Sequence, residues 1–148
     1  MISTRGRYAL RVLIYLSEHQ SQGHIPLKEI STNEGISQKY LESIMTTLSK
    51  AGMVDAVHGK GGGYKLNRSP DKYTVGELLR LTETTLAPVA CLESGKENVC
   101  DNASNCRTLP VWIKLNKLMN DYLDSVTLQD LISMPAEYDS SLYWPCGL

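Results

Sequence analysis

Three cysteines stand close together in the chain, Cys91, Cys100 and Cys106, with eight and five residues between them. The segment around them is polar: Glu93, Ser94, Gly95, Lys96, Glu97 and Asn98 precede Cys100, and Asp101, Asn102, Ser104 and Asn105 follow it. Thiols this near in sequence can converge on one centre at small closure entropy. Thiolates are soft donors that suit iron–sulfur clusters, zinc or copper(I). The spacing is not that of a C-x-x-C zinc knuckle. Structural zinc takes four ligands, and the loop offers neither a fourth cysteine nor a histidine. An iron–sulfur cluster on three cysteines and one outside ligand is the metal centre this donor set points to. Spacing leaves a reversible disulfide switch, or three unrelated thiols, open as alternatives. Cys146, near the end of the chain, is available as a fourth ligand or as an exposed thiol. His19 and His24 read as surface residues.

A second set of residues could meet a polyanion. Residues 1–75 carry a net charge of +4 and residues 76–148 carry -5, which a total of -1 conceals. A basic front and an acidic back suggest separate tasks. Within the front, His58-Gly59-Lys60-Gly61-Gly62-Gly63 holds four glycines in six residues. It is not a phosphate loop, because Gly61 follows Lys60 where Ser or Thr is needed. Nor is it a dinucleotide fingerprint, because Tyr64 stands where the third glycine belongs. Met53 to Val57 and Tyr64 to Leu66 read as strands on either side. Glycines that tolerate positive φ let such strands reverse in a tight hairpin. Its tip presents His58 and Lys60 to phosphate or to a minor groove.

Elements must position these groups. Ser3 or Thr4 can cap a first helix to about Gln20, apolar around much of its axis and therefore central. Pro26 suits the start of a short helix, Leu27 to Glu34, with Gly35 at its end. Ser37 caps a third helix. There Leu41, Ile44, Met45 and Leu48 repeat at i, i+3, i+4, i+7, a buried stripe, while Lys39, Glu42, Ser43 and Thr46 form a polar face. Two helices across a glycine turn have the form of a helix-turn-helix, and a hairpin directly after the second is a wing. Thr74 and Glu77 predict a capping box and a helix from Val75 to about Glu83. Thr84 to Asn105 is helix-poor. Val111 to Val126 then carries an apolar seam, Trp112, Leu115, Met119, Tyr122 and Val126, stepping by three and four. The seam can pack on its own domain or on a second copy. A helix-turn-helix usually reads two half-sites as a dimer, which favours the copy. A short helix follows over 127–133.

The fold class expected is mainly α with a small β-hairpin wing: a winged helix-turn-helix plus a long dimerisation helix. Its parts are a DNA-binding region over 1–83, a cysteine loop over 84–108, the dimerisation helix and a short helix over 109–134, and a loose tail over 135–148. One domain fits 148 residues, and 42% hydrophobic with 21% charged content excludes a disordered chain. The longest apolar run, Ala9 to Leu16, contains Arg11 and is too short to span a membrane. With no apolar region behind the first residues, the expected location is the cytoplasm, with thiols rather than disulfides. An enzyme, such as a thiol oxidoreductase, finds no C-x-x-C and no acid–base pair here.

The chain resembles the IscR-type winged-helix regulators, with their NsrR-, RirA- and CymR-like relatives. The resemblance is carried by Ser3-Thr4-Arg5-Gly6-Arg7-Tyr8-Ala9-Leu10, by Gly35-Ile36-Ser37 with Tyr40-Leu41-Glu42, and by Gly59 with Gly61-Gly62-Gly63-Tyr64. Val75-Gly76-Glu77 and Thr127-Leu128 with Leu131 complete it. It implies a homodimeric transcription regulator, usually a repressor, bound to operator DNA. It implies an iron–sulfur cluster on Cys91, Cys100 and Cys106: 2Fe–2S as in the IscR branch, with 4Fe–4S as the alternative. The CymR-like branch lacks these cysteines and senses cysteine status through a partner enzyme. Leu109 stands where the IscR-like pattern has a histidine ligand, so the fourth ligand would be Cys146, a group from the partner subunit, a small thiol or water. His58 stands where the wing usually carries arginine.

On this reading the third helix enters the major groove. Ser37 and Gln38 at its N-terminus favour a phosphate. Lys39 and Tyr40 reach phosphate or base edges, Glu42 accepts from a cytosine amino group, and Ser43 donates or accepts. Arg5 and Lys60 neutralise phosphate, and His58 lies at the groove.

Overall fold

The computed structural model describes residues 2–93 and 100–134; the 135–148 tail with Cys146, and residues 94–99 of the cysteine loop, lie outside the described residues. The first helix, α1 (Thr4–Glu18), begins where Ser3 Oγ accepts the Gly6 N–H at 3.2 Å. It stops two residues short of Gln20, because Gln20–Gln22 tightens into a 3₁₀ turn that Gly23 closes. Ala9, Val12, Leu13 and Leu16 are buried, so α1 is the central helix its apolar girth predicts. His19 and His24 correct the surface expectation. Both are half-buried, His19 stacked on Tyr15 at 4.1 Å and His24 with its Nε2 enclosed.

After α2 (Leu27–Glu34), Gly35 adopts φ 64°, a left-handed conformation that costs glycine nothing. Ser37 then accepts the Tyr40 N–H and opens α3 (Gln38–Lys50). Leu41, Ile44, Met45 and Leu48 are all fully buried, as their spacing demands. The hairpin follows: β1 (Val54–Val57) pairs antiparallel with β2 (Gly63–Leu66), Val54 opposite Leu66 and Val57 opposite Gly63. A third backbone joins it. Ile25 and Tyr64 exchange N–H···O bonds of 2.9 Å each way, which ties the wing to the α1–α2 connection. Gly63 permits that approach, since a Cβ there would overlap the Ile25 carbonyl.

α4 (Val75–Thr82) begins where Thr74 Oγ1 accepts the Glu77 N–H at 3.1 Å. The expected reciprocal half of that box is replaced, because Glu77 Oε1 accepts from Arg68 at 2.9 Å. The complete capping box sits instead at Thr127 and Asp130, at the start of α6 (Leu128–Ser133). Before it runs α5 (Leu109–Ser125), which starts two residues earlier than Val111 with Pro110 in its first turn. α6 returns to α1 and buries Leu128 in the main core, held by Leu128 N–H to Tyr73 O at 3.0 Å. Tyr73 is the hub beneath the wing. Its ring is fully buried, and its hydroxyl reaches Met53 O at 2.7 Å and Asn67 Oδ1 at 2.9 Å while accepting the Asn67 and Arg68 N–H groups. The expected class, mainly α with a β-hairpin wing, is the observed one.

Candidate nucleic-acid interface and thiol segment

One face of α3 is left free. Ser37, Gln38, Lys39, Glu42, Ser43 and Thr46 are exposed, opposite the buried stripe. Several of these polar groups are partly satisfied within the helix: Ser43 Oγ donates to Tyr40 O at 2.8 Å and Thr46 Oγ1 to Glu42 O at 2.7 Å. The side chains of Gln38, Lys39 and Glu42 extend from an ordered backbone into solvent. Tyr40 is half-buried. Its ring meets Tyr8 edge-to-face at 5.9 Å, and Arg11 lies 5.5 Å over Tyr8. Tyr40 therefore joins α3 to α1 as well as bordering the exposed face. Arg5, expected at phosphate, donates from Nη2 to Ser43 O at 3.0 Å and to Thr47 Oγ1 at 2.6 Å. Nothing in the sequence pattern signals that contact, because it joins residues 38 and 42 positions apart.

The wing tip carries His58 and Lys60, both exposed. Gly59 at φ 98° and Gly61 at φ 78° make the reversal, and Gly62 N–H closes it on Gly59 O at 3.0 Å. Asp55 and Lys65 face each other across the strands at 3.9 Å, an exposed pair of small energetic weight. α3 and the wing thus offer two protrusions, one helical and one extended.

The thiols flank the undescribed residues. Cys91 is exposed within a short 3₁₀ turn (Ala90–Leu92), Cys100 is exposed, and Cys106 is half-buried at the approach to α5. All three are free. Among the described residues no group of three or more His, Cys, Asp or Glu side chains gathers about a common point. The donor set still fits an iron–sulfur group by its chemistry, because it is three unpaired soft thiols in one segment. Cys106 has a side-chain partner nearby. Thr108 Oγ1 lies 3.4 Å from its Sγ, and this hydroxyl, with the Thr108 and Leu109 amides that open α5, holds the thiol below its ordinary value. Cys106 also lines a groove of about 550 Å³ with Leu109, Pro110, Ile113, Lys114 and Lys117. Leu109 is thus a wall of that groove and supplies no donor atom.

α5 buries none of its residues. One side rests on α4. Arg80 grips Asp124 with both Nη atoms, at 2.6 and 2.8 Å, and reaches Asn120 Oδ1 at 2.8 Å. This guanidinium holds the Asp124 carboxyl below the usual carboxylate range. The other side is an apolar band. Leu115 and Tyr122 of the expected seam are exposed, while Trp112, Met119 and Val126 are half-buried. Val111 (59%), Leu118 (53%) and Tyr122 (64%) show that the band faces solvent in the single chain. Val111 and Leu118 widen the seam at i, i+4, i+7, i+11 with Leu115 and Tyr122.

Residues 2–134 match Rrf2, the family of iron-dependent transcriptional regulators, over the head, the thiol segment and α5 together. The chain belongs to the Rrf2 family. Among its Rrf2 relatives, the HTH-type transcriptional regulator IscR of Aliivibrio salmonicida is 34% identical over 131 residues, 88% of this chain and 76% of that protein. The HTH-type transcriptional regulator CymR of Bacillus subtilis is 37% identical over 132 residues, 89% of each. The structure of that CymR, described as the global cysteine regulator, superposes with a TM-score of 0.73 over 90% of this chain and 96% of its own. T. potens IscR superposes with a TM-score of 0.70 at 34% identity, over 90% and 86%. These Rrf2 proteins are named as transcriptional regulators and not as enzymes. This chain is accordingly a DNA-binding transcription regulator of the winged-helix class. Among the described residues no helix is long and apolar enough to cross a membrane.

Proposed function

We propose that the protein is a cytoplasmic, homodimeric repressor whose affinity for operator DNA is set by an iron–sulfur cluster held by Cys91, Cys100 and Cys106. α3 enters the major groove. Ser37 and Gln38 place helix amides at a phosphate, Lys39 and Tyr40 contact backbone or base edges, and Glu42 and Ser43 read bases. His58 and Lys60 reach the flanking backbone and minor groove from the wing. The bare polar face of α3, opposite a fully buried stripe, is the observation that carries this reading.

The division of labour along the chain follows: residues 1–83 read DNA, 84–108 sense, and 109–134 join two copies. In the dimer, the α5 band of Trp112, Leu115, Met119, Tyr122 and Val126 meets its symmetry mate. Its exposed part, Leu115 and Tyr122 with Val111 and Leu118 beside them, is what a coiled-coil-like pairing removes from water. A bound cluster, 2Fe–2S by resemblance to the IscR branch, supplies a centre whose charge and occupancy change with iron supply, nitric oxide or oxidant. Three free thiols in one segment support that role. The segment runs between α4 of the head and the start of α5. Its rearrangement therefore bears on both reading and pairing, and a coupling of about 1–3 kcal/mol changes affinity some 5–150-fold.

The likeness to CymR supports a second reading, a cluster-free regulator of cysteine or thiol status. Iron and sulfide analysis of anaerobically purified protein, with its visible spectrum, separates the two: a red-brown sample with both elements supports the cluster. Binding to one operator with and without cluster, at fixed salt, then tests control. Equal affinities would sink it.

A further inference from the structure

We propose that Arg5 and Glu83 are positioning residues for α3: they clamp the first turn of α1 between the end of α4 and the recognition helix, and so set the helix that reads DNA. The proposal rests on the reading of α3 as that helix. Arg5 Nη2 carries two N–H groups, and both are used inside the protein, on Ser43 O at 3.0 Å and Thr47 Oγ1 at 2.6 Å. They bind the exposed side of α3 one residue from Glu42. Two residues ahead of Arg5, Ser3 grips the other side. Its backbone N–H and its Oγ–H both donate to Glu83 Oε1, at 3.1 and 2.7 Å, while the same Oγ accepts the Gly6 N–H at 3.2 Å.

Gly6 is the third element of the clamp. It is buried, and a Cβ there would overlap Glu83 Oε1 and press on Leu79 Cδ2. Only a residue without a side chain lets α1 lie this close to the carboxylate. Glu83 is also where α4 ends and the chain turns into the segment that leads to Cys91. A displacement of that segment pulls on Glu83, then on Ser3, and through the rigid first turn on Arg5 and Ser43. The clamp gives the thiol segment a covalently and hydrogen-bonded route to the reading face, with Arg5 as its last link.

The rival role for Arg5 is a phosphate contact, and salt separates the two. Each neutralised phosphate adds about 0.9 to the slope of log K against log salt. The probe is a duplex selected by the wild-type protein from a randomised pool, and binding is measured across a salt series. Arg5→Gln and Glu83→Ala should each weaken binding by about tenfold with the slope unchanged. Glu83→Gln keeps an acceptor for Ser3 and should restore affinity. The Arg5→Gln/Glu83→Ala double variant should bind no worse than the weaker single. Gly6→Ala raises helix propensity while pushing the carboxylate aside, so it should reproduce the loss in a protein that melts no earlier. A slope lowered by about one in Arg5→Gln, with Glu83→Ala and Gly6→Ala neutral, overturns the proposal and makes Arg5 a phosphate ligand. Additive losses in the double variant also overturn it. Failure to enrich any duplex overturns the DNA-reading function itself, and the clamp's role falls with it.

Discussion

Glu42 and Lys60 make opposite demands on a duplex. A carboxylate on the open face of α3 is repelled by phosphate, so it gains only where a base edge donates to it. An ammonium at the wing tip is attracted by every phosphate alike. Glu42→Ala should therefore relax base preference at one position, by about 1–3 kcal/mol of lost discrimination. Lys60→Ala should weaken all duplexes together and lower the salt slope by about one. Competition binding with single-base variants of a selected site checks both; a uniform loss in Glu42→Ala would show that it does not read bases. Cys106 invites a separate measurement in cluster-free protein. The Thr108 hydroxyl and the amides at the start of α5 favour its thiolate and hold the thiol below its ordinary value. Its alkylation by iodoacetamide should rise with pH, with a midpoint below that of an ordinary thiol. Thr108→Val removes the hydroxyl at constant shape and should move the midpoint to higher pH, read residue by residue by mass spectrometry.

At the scale of elements, the wing is held from beneath by one hydroxyl. Tyr73→Phe leaves the ring in place but strands the Met53 carbonyl and the Asn67 and Arg68 N–H groups. Unsatisfied buried groups of this kind cost about 1–3 kcal/mol. A urea titration followed by circular dichroism should show that loss in the midpoint, and an unchanged midpoint would mean that water takes over the hydroxyl's role. The elements themselves were mostly legible in the sequence. The period of Leu41, Ile44, Met45 and Leu48 defines α3 and its orientation, and Ser37, Gly35 and Thr74 mark helix ends by local bonding that depends only on nearby residues. Three features were not legible, each for a reason of range. The Ile25–Tyr64 bridge is a single residue pair with no alternation to announce it. The partner of Glu77 is Arg68, nine residues away and outside the capping pattern. Arg5 binds α3 across the fold, 38 and 42 positions away, beyond any local pattern.

For the whole molecule, the unburied band on α5 is where the proposed pairing of two copies is put to the test. Val111, Leu115, Leu118 and Tyr122 leave a single chain with an apolar strip that water wets poorly. Leu115→Glu with Tyr122→Lys should convert a dimer to a monomer in sedimentation, with the far-ultraviolet spectrum retained because neither side chain contributes to the buried core. Binding to a palindromic site should then fall steeply and binding to an isolated half-site little. A variant that sediments as the wild type would move the interface elsewhere. The candidate site was legible here only in part. Cysteine spacing names the donors, but the distance between thiols in space depends on a segment whose course no local periodicity fixes.

The bond pair between Ile25 and Tyr64 has one more effect. It anchors the base of the hairpin to the α1–α2 connection, which resists tilting of the wing as a whole toward a groove of the wrong width. Part of the accommodation that docking demands then falls to the nucleic acid. Binding sites should consequently be graded by pliancy at steps the protein never touches, with yielding pyrimidine–purine junctions favoured over stiff adenine tracts wherever the duplex has to bend.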